Sequence, residues 1–210
     1  ECLHTYSLIH DDLPCMDDDD FRRGKATNHI IYGYPIALLS GDGLLNSAYE
    51  IMFNGYFSAE DKNSYMRACA EISKAAGVRG MIGGQVSDLE SENQTVDLAT
   101  VEYMHIHKTG ALLSASLETG ALLGDGTADQ ISTLKRYGHH FGLAFQITDD
   151  ILDVEGDAEL MGKTPGSDMA KNKKTYPVLL GMTRSKEAAR EHVEEALPAL
   201  TGFDEKAEPL

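Results

Sequence analysis

One long helical pattern occupies residues 127–153, which read TADQISTLKRYGHHFGLAFQITDDILD. Thr127 and Gln130 have the spacing of a capping box, in which two side chains bond each other's backbone N–H groups where a helix begins. Apolar side chains follow at helical intervals, among them Phe141, Phe145 and Ile147. The pattern predicts a long helix with one buried face that carries a group of aspartates at its end.

Helical periodicity also covers most of the remaining chain, at residues 1–12, 35–55, 58–77, 97–123 and 185–197. The helix over 97–123 is expected to be interrupted at Lys108-Thr109-Gly110. Alternating apolar patterns are scarce, and residues 28–32 are the best candidate for a strand. The sequence therefore predicts an all-α fold in a single domain over residues 1–210.

The composition excludes several functional classes. The chain has 18 basic and 34 acidic residues, a net charge of −16, which argues against a nucleic-acid-binding surface. No run approaches the ~20 apolar residues that span a bilayer. Three cysteines without a CxxC pair indicate a reducing compartment, so we expect a cytoplasmic protein. Because the chain begins at Glu1 inside a helical pattern, we expect a fragment of a longer protein, truncated at both ends.

Two acidic clusters are the strongest chemical signal. Residues 11–20 read DDLPCMDDDD, and Pro14 disfavours helical geometry at Leu13, so the chain can fold Asp17 back beside Asp11. In the second cluster, helical spacing puts Asp149 and Asp150 on the same face as Asp153.

The negative charges of so many neighbouring aspartates repel one another, and water or cations must offset that repulsion. Two carboxylates ~4 Å apart repel by about 4 kcal/mol near a protein surface. One interpretation is a solvated acidic helix end. The alternative is divalent cations, and carboxylates suit Mg²⁺, which is usually held by one or two of them plus substrate phosphates. Basic residues follow both clusters, and Arg and Lys are phosphate ligands. Metal with flanking cations indicates a diphosphate substrate.

The sequence resembles the short-chain trans-isoprenyl diphosphate synthases, within the polyprenyl synthetase family. DDLPCMDDDDFRRG is similar to their first aspartate-rich motif and DDILD to their second. Lys108-Thr109-Gly110 matches their KTG segment, Gly83-Gly84-Gln85 with Asp88 their GGQxxDL segment, and residues 173–177 their K-x-T-Y-P. The resemblance implies an isoprenoid-synthase-type helical bundle around a central active-site cavity. It also implies a homodimer that condenses an allylic diphosphate with isopentenyl diphosphate.

The resemblance assigns roles to individual residues. A metal site of about three Mg²⁺ ions, bound together with the allylic diphosphate, would be formed by Asp11, Asp12, Asp17, Asp149, Asp150 and Asp153. The same diphosphate would be bound by Arg22, Lys108, Lys163 and Lys173. Isopentenyl diphosphate would face His4 and Arg23. The cationic intermediate would be stabilised by carbonyls at Lys108, the hydroxyl of Thr109 and the amide oxygen of Gln146.

Product length is expected to depend on Tyr6 and Ser7, which lie five and four residues before Asp11. An aromatic side chain at that depth would close the end of the hydrocarbon pocket. Together with the DDxxxxD spacing, it resembles the bacterial farnesyl (C15) type. Ordinary core packing of Tyr6 is the alternative, and a geranylgeranyl (C20) product remains open.

Two further classes stay open. A related terpene cyclase would also ionise a diphosphate, although such enzymes usually depart from DDILD at the second motif. An inactive partner subunit typically loses motif aspartates, and none is lost here. The segment that supplies a Lys and an Arg to the isopentenyl diphosphate site of the family would lie before Glu1.

Overall fold

A computed structural model describes residues 1–156, 172–208 and 210, without the side chain of Lys206. The prediction of an all-α fold is confirmed, since the strands of the described residues form only one two-stranded sheet. These residues divide into two compact units. The first contains Glu1–Lys62, and the second contains Asn63–Glu155 with the described residues from 172 onwards.

The first unit is built on two packed helices, α1 and α3. Its elements are α1 (Cys2–Asp11), β1 (Phe21–Arg22), β2 (Lys25–Ala26), α2 (Asn28–Tyr32) and α3 (Tyr34–Ser58). The strands pair as an antiparallel hairpin, Phe21 opposite Ala26 and Arg22 opposite Lys25. Arg23 and Gly24 make its turn with positive φ angles of 52° and 73°, the backbone geometry of a two-residue hairpin loop.

The prediction of a strand over residues 28–32 is wrong, because Asn28–Tyr32 is a short helix. Ile30 and Ile31 favour extended structure locally, but a strand needs a partner. The segment instead begins after an extended Thr27 and packs against α3.

The second unit is organised around one long helix. Its elements are α4 (Lys62–Ala76), α5 (Met81–Ser91), α6 (Leu98–Met104), a π-helix (His105–Gly110), α7 (Ala111–Leu123), α8 (Ala128–Glu155), α9 (Tyr176–Leu180) and α10 (Met182–Ala196), followed by 3₁₀ turns at Leu197–Gly202 and Glu205–Ala207. Helix α8 packs against α7, α10 and the π-helix. The core of the second unit contains Val101, Met104, Ile147, Ile151, Tyr176 and Ala188.

The start of α8 confirms the predicted capping box. The Thr127 N–H donates to Gln130 Oε1 over 2.9 Å, and the Gln130 N–H donates to Thr127 Oγ1 over 3.2 Å. Among the helices of the described residues, none is long and apolar enough to cross a bilayer.

Candidate active site

The first aspartate cluster lies where α1 ends. The Leu13 N–H bonds the His10 carbonyl, and the Asp17 N–H bonds the Asp11 carbonyl over 2.9 Å. The chain therefore folds back after Pro14, as the sequence predicts, and brings the backbone of Asp17 beside that of Asp11.

Arg22 reaches this cluster from the β-hairpin. Its Nε and Nη2 lie 2.8 and 2.6 Å from Asp12 Oδ1, and Nη2 is 3.7 Å from Asp11 Oδ2. Burial raises the pKa of the Asp12 carboxyl, the Arg22 hydrogen bond and charge oppose that rise, and the carboxylates of Asp11 and Asp19 add to it. Arg22 is thus a counter-ion of this cluster.

The remaining predicted residues of the first unit differ in exposure. Tyr6 is buried in α1, its ring meeting the His10 ring edge-on at 5.7 Å, and burial, with a contribution from Tyr49, raises the pKa of its hydroxyl. Ser7 bonds the carbonyl of His4 through Oγ. His4 and Arg23 are exposed.

In the second unit, the segment Lys108-Thr109-Gly110 forms the last half of the π-helix. The predicted interruption is therefore a wider helical turn and not a break. Single π-turns inside α-helices are frequent at functional sites. A Cβ at Gly84 would lie 2.1 Å from the Lys108 nitrogen, so only glycine lets α5 approach the π-helix this closely.

That approach places Asp88, one turn after Gly84, beside Lys108. Lys108 Nζ lies 2.7 Å from Asp88 Oδ2, and Lys173 Nζ lies 3.2 Å from the same oxygen. The two ammonium groups are therefore no more than about 6 Å apart, a separation at which they repel by ~3 kcal/mol at an effective dielectric constant of 20. The carboxylate of Asp88 offsets that repulsion and draws together two of the predicted diphosphate ligands.

Helix α8 turns one face toward the π-helix. A Cβ at Gly142 would lie 2.9 Å from the Gly110 Cα, and Asp150 Oδ1 is 3.5 Å from His105 Nε2. Gln146 lies midway between these contacts at intervals of four residues, and therefore on the same face. Neither Gln146 nor Thr109 makes a side-chain hydrogen bond within the part of the chain that the structure describes.

Asp150 belongs to a buried polar network. Its Oδ2 accepts the Tyr176 N–H over 2.9 Å, and the Tyr176 hydroxyl donates to Glu102 over 3.0 Å. Burial, the Glu102 charge and this hydrogen bond raise the pKa of Tyr176, so the phenol stays a donor. The His105 ring stacks on Tyr176, and its Nδ1 is buried without a partner among the described residues.

The carboxylates of the two aspartate motifs are suited to Mg²⁺ that binds together with a diphosphate. Among the described residues, no three His, Cys, Asp or Glu side chains are close enough to hold an ion by themselves. Mg²⁺ usually takes only one or two carboxylates and completes its shell with phosphate and water. Asp11 and Asp17 are neighbours in the first unit, and Asp149 and Asp150 are consecutive in α8.

Comparison with known proteins agrees with this chemistry. The family model for polyprenyl synthetases matches residues 1–208. The chain belongs to the polyprenyl synthetase family. It is 49% identical over 212 residues to the "geranylgeranyl pyrophosphate synthase, chloroplastic" of Capsicum annuum, covering all of this chain and 57% of that protein. It is 47% identical over 204 residues to the farnesyl diphosphate synthase of Geobacillus stearothermophilus, covering 97% of this chain and 69% of that protein.

Solved structures show the same family fold. The geranyltransferase of Helicobacter pylori, complexed with magnesium and isoprenyl diphosphate, superposes with a TM-score of 0.86 at 37% identity, over 99% of this chain and 67% of that one. The FPP/GFPP synthase of Zymomonas mobilis gives 0.85 at 39% identity, over 99% of this chain and 69% of that one. The chain spans 57% of the length of the Capsicum protein. It spans 61% of the length of a dimethylallyltranstransferase from Fischerella ambigua.

The structure adds residues to the candidate site that the sequence alone does not predict. Asp88 lies in the GGQxxDL segment, but its contacts with Lys108 and Lys173 are not predicted, nor are those of Asp150 with Tyr176 and His105. The sequence feature that could have indicated a role for Asp88 is its position one helical turn after the paired glycines Gly83 and Gly84. Lys163 lies outside the described residues.

Proposed function

We propose that the protein is a trans-prenyltransferase that condenses isopentenyl diphosphate with dimethylallyl or geranyl diphosphate. The convergence of Lys108 and Lys173 on Asp88 carries this proposal, because their ammonium groups come from positions 65 residues apart and meet beside the π-helix. Two cations this close together are suited to a diphosphate, and family membership supports the same reaction class.

Ionisation of the allylic diphosphate is the step that these residues support. The allylic C–O bond breaks, and its electron pair leaves with the diphosphate. Bound Mg²⁺ would neutralise charge on that leaving group. About three ions would be held by the six motif aspartates, of which Asp12 accepts from Arg22 and Asp150 accepts the Tyr176 N–H. Arg22, Lys108, Lys163 and Lys173 donate to the diphosphate oxygens, which stabilises the developing charge.

The carbon skeleton then grows by one unit. The double bond of isopentenyl diphosphate, held by His4 and Arg23, attacks the allylic carbon and forms the new C–C bond. Thr109 and Gln146 direct oxygen atoms toward the positive charge, as their place on the π-helix and on the facing side of α8 permits. A proton is lost from the product cation to the departed diphosphate, so charge and atoms balance.

We propose farnesyl diphosphate (C15) as the product, with Tyr6 and the neighbouring Ser7 limiting the pocket. The burial of Tyr6, five residues before Asp11 on α1, supports this limit. Geranylgeranyl diphosphate (C20) is the second candidate, because relatives with that name are as similar to this chain as those named farnesyl diphosphate synthase.

Product analysis tests the activity and the length together. The full-length protein is given isopentenyl diphosphate, Mg²⁺ and either primer, and products are identified by mass spectrometry. A C15 product that disappears on adding EDTA is expected. A C20 product supports the second candidate. No elongation by a folded full-length protein contradicts the proposal and favours a cyclase or an inactive subunit.

The second aspartate motif is tested by Asp149→Ala. We expect turnover to fall by orders of magnitude with an unchanged circular dichroism spectrum. Thr133→Ala, on the same helix, is the matched control. An unchanged rate in Asp149→Ala contradicts the metal assignment.

We further propose a single catalytic domain, which the match of the family model over residues 1–208 supports, a cytoplasmic location and a homodimer. Exposed apolar residues on α3 support the homodimer: Ile36, Leu39, Ile51, Phe53 and Phe57.

A further inference from the structure

Asp88 occupies an unusual position for an acidic residue in a diphosphate site. A carboxylate repels a diphosphate, yet Asp88 lies between two of the cations assigned to it. Its side chain is 15% exposed, and those of Lys108 and Lys173 are 23% and 14% exposed. The same carboxylate oxygen accepts from both ammonium groups.

The three groups come from three separate elements. Asp88 lies on α5, Lys108 on the π-helix and Lys173 in the extended segment before α9. Contact of Gly84 with the Lys108 backbone fixes the distance between α5 and the π-helix. Lysine side chains are long and flexible, and each loses substantial rotamer freedom when held in one place.

We propose that Asp88 is a positioning residue that holds Lys108 and Lys173 as one preorganised pair for the diphosphate of the allylic substrate. This inference rests on the proposed function. Asp88 orders both ammonium groups before the substrate arrives, so binding does not have to supply the ordering entropy or bring two like charges together.

A competing role for Asp88 predicts the opposite change in diphosphate affinity, which makes the proposal testable. If Asp88 only competed with the diphosphate for the lysines, Asp88→Asn would bind diphosphate more tightly. If Asp88 positions them, Asp88→Asn binds it more weakly, and Asp88→Glu, which keeps the charge, recovers part of the loss.

The experiment uses the full-length protein with Mg²⁺. Calorimetry with inorganic diphosphate measures binding, steady-state kinetics with geranyl diphosphate give KM and kcat, and thermal unfolding reports stability. For Asp88→Asn we expect binding weaker by about tenfold or more, as for one lost charge-assisted hydrogen bond, and a raised KM. Glu118→Gln removes a comparable acid–lysine pair, Glu118 with Lys135 at 3.0 Å, and is expected to leave binding unchanged.

A double-mutant cycle separates positioning from simple destabilisation. When Lys173→Met is combined with Asp88→Asn, the two losses in binding are expected to be less than additive, because Asp88 acts through the lysine. Tighter or unchanged binding by Asp88→Asn, or full additivity, overturns the inference. A wild-type protein that neither binds diphosphate nor elongates a primer overturns the proposed function itself.

Discussion

The second aspartate of each motif is the more deeply buried of the pair, although adjacent aspartates look equivalent in sequence. Asp12 accepts from Arg22, and Asp150 accepts the Tyr176 N–H close to the His105 ring. A carboxylate held this way is oriented before a metal ion binds. It also anchors the segment on which its neighbours stand. Burial therefore distinguishes the paired aspartates, since Asp12 and Asp150 are buried and Asp11 and Asp149 are half-buried.

Gly84 is the residue on which the contact between α5 and the π-helix depends. Gly84→Ala would place a methyl group 2.1 Å from the Lys108 nitrogen, a backbone atom that cannot swing aside. We expect a loss of about 2 kcal/mol or more in the free energy of unfolding, measured by urea denaturation. Gly120→Ala, on α7 with open space around it, is the control and is expected to be neutral or stabilising. Equal stability of both variants contradicts this prediction.

Tyr6 is the residue expected to limit product length. Tyr6→Ala removes a buried ring from α1, so the tail of the growing product gains room and longer prenyl diphosphates are expected, measured by mass spectrometry with geranyl diphosphate as primer. Tyr49→Phe keeps the neighbouring ring and is the control, with no change in product expected. An unaltered distribution in Tyr6→Ala means that the side chain is ordinary core packing.

At the scale of the elements, the helices were predictable from local signals, whereas their contacts were not. The capping box at Thr127 and the periodicity after it predict α8 because both act within a few residues. Residues 28–32 were wrongly predicted as a strand, since two isoleucines favour extended structure but only the tertiary fold decides whether a partner exists. The role of Asp88 depends on Lys108 and Lys173, 20 and 85 residues away, which no local pattern encodes.

The contact between α8 and α10 contains a histidine cluster that makes stability depend on pH. His140 Nδ1 lies 3.1 Å from His192 Nδ1, and the His139 and His140 rings are 5.3 Å apart. Burial and then His140 lower the pKa of His139. Burial, His140 and His139 lower the pKa of His192, opposed by Glu102 and Glu191.

Lowered histidine pKa values mean that the unfolded chain binds protons more readily than the folded protein. The stabilisation is complete above the ordinary value of about 6.5 and is lost as the pH falls from there through the folded pKa values. We expect the urea midpoint to drop between pH 7.5 and 5.5, and His192→Gln to show a smaller drop. His4→Gln, exposed and outside the cluster, should behave like the wild type. An identical drop in His192→Gln contradicts the assignment.

At the scale of the whole molecule, helix α3 carries several large apolar side chains that the described residues of the first unit leave exposed. Its side chains are 52–78% exposed at Ile36, Leu39, Ile51, Phe53 and Phe57. Exposed large apolar side chains, here interspersed with the exposed Asn46 and Glu50, are typical of an interaction surface, and a second copy of the chain is the partner that the proposed homodimer requires. Association through one such face would join two chains by a self-complementary contact.

Sedimentation equilibrium over a range of concentrations tests this arrangement. The wild-type protein is expected to be a dimer, and Leu39→Glu combined with Phe53→Glu is expected to be a folded monomer, because two charges would have to be buried in the interface. Val78→Glu adds a charge at a site that is 75% exposed and lies outside α3, and it should leave the dimer intact. A wild-type monomer contradicts the homodimer, whereas a dimeric double variant assigns the contact to another face. If the dimer is required for folding, the double variant would instead be unfolded at concentrations at which the wild type is folded, and the unfolding midpoint of the wild type would rise with concentration.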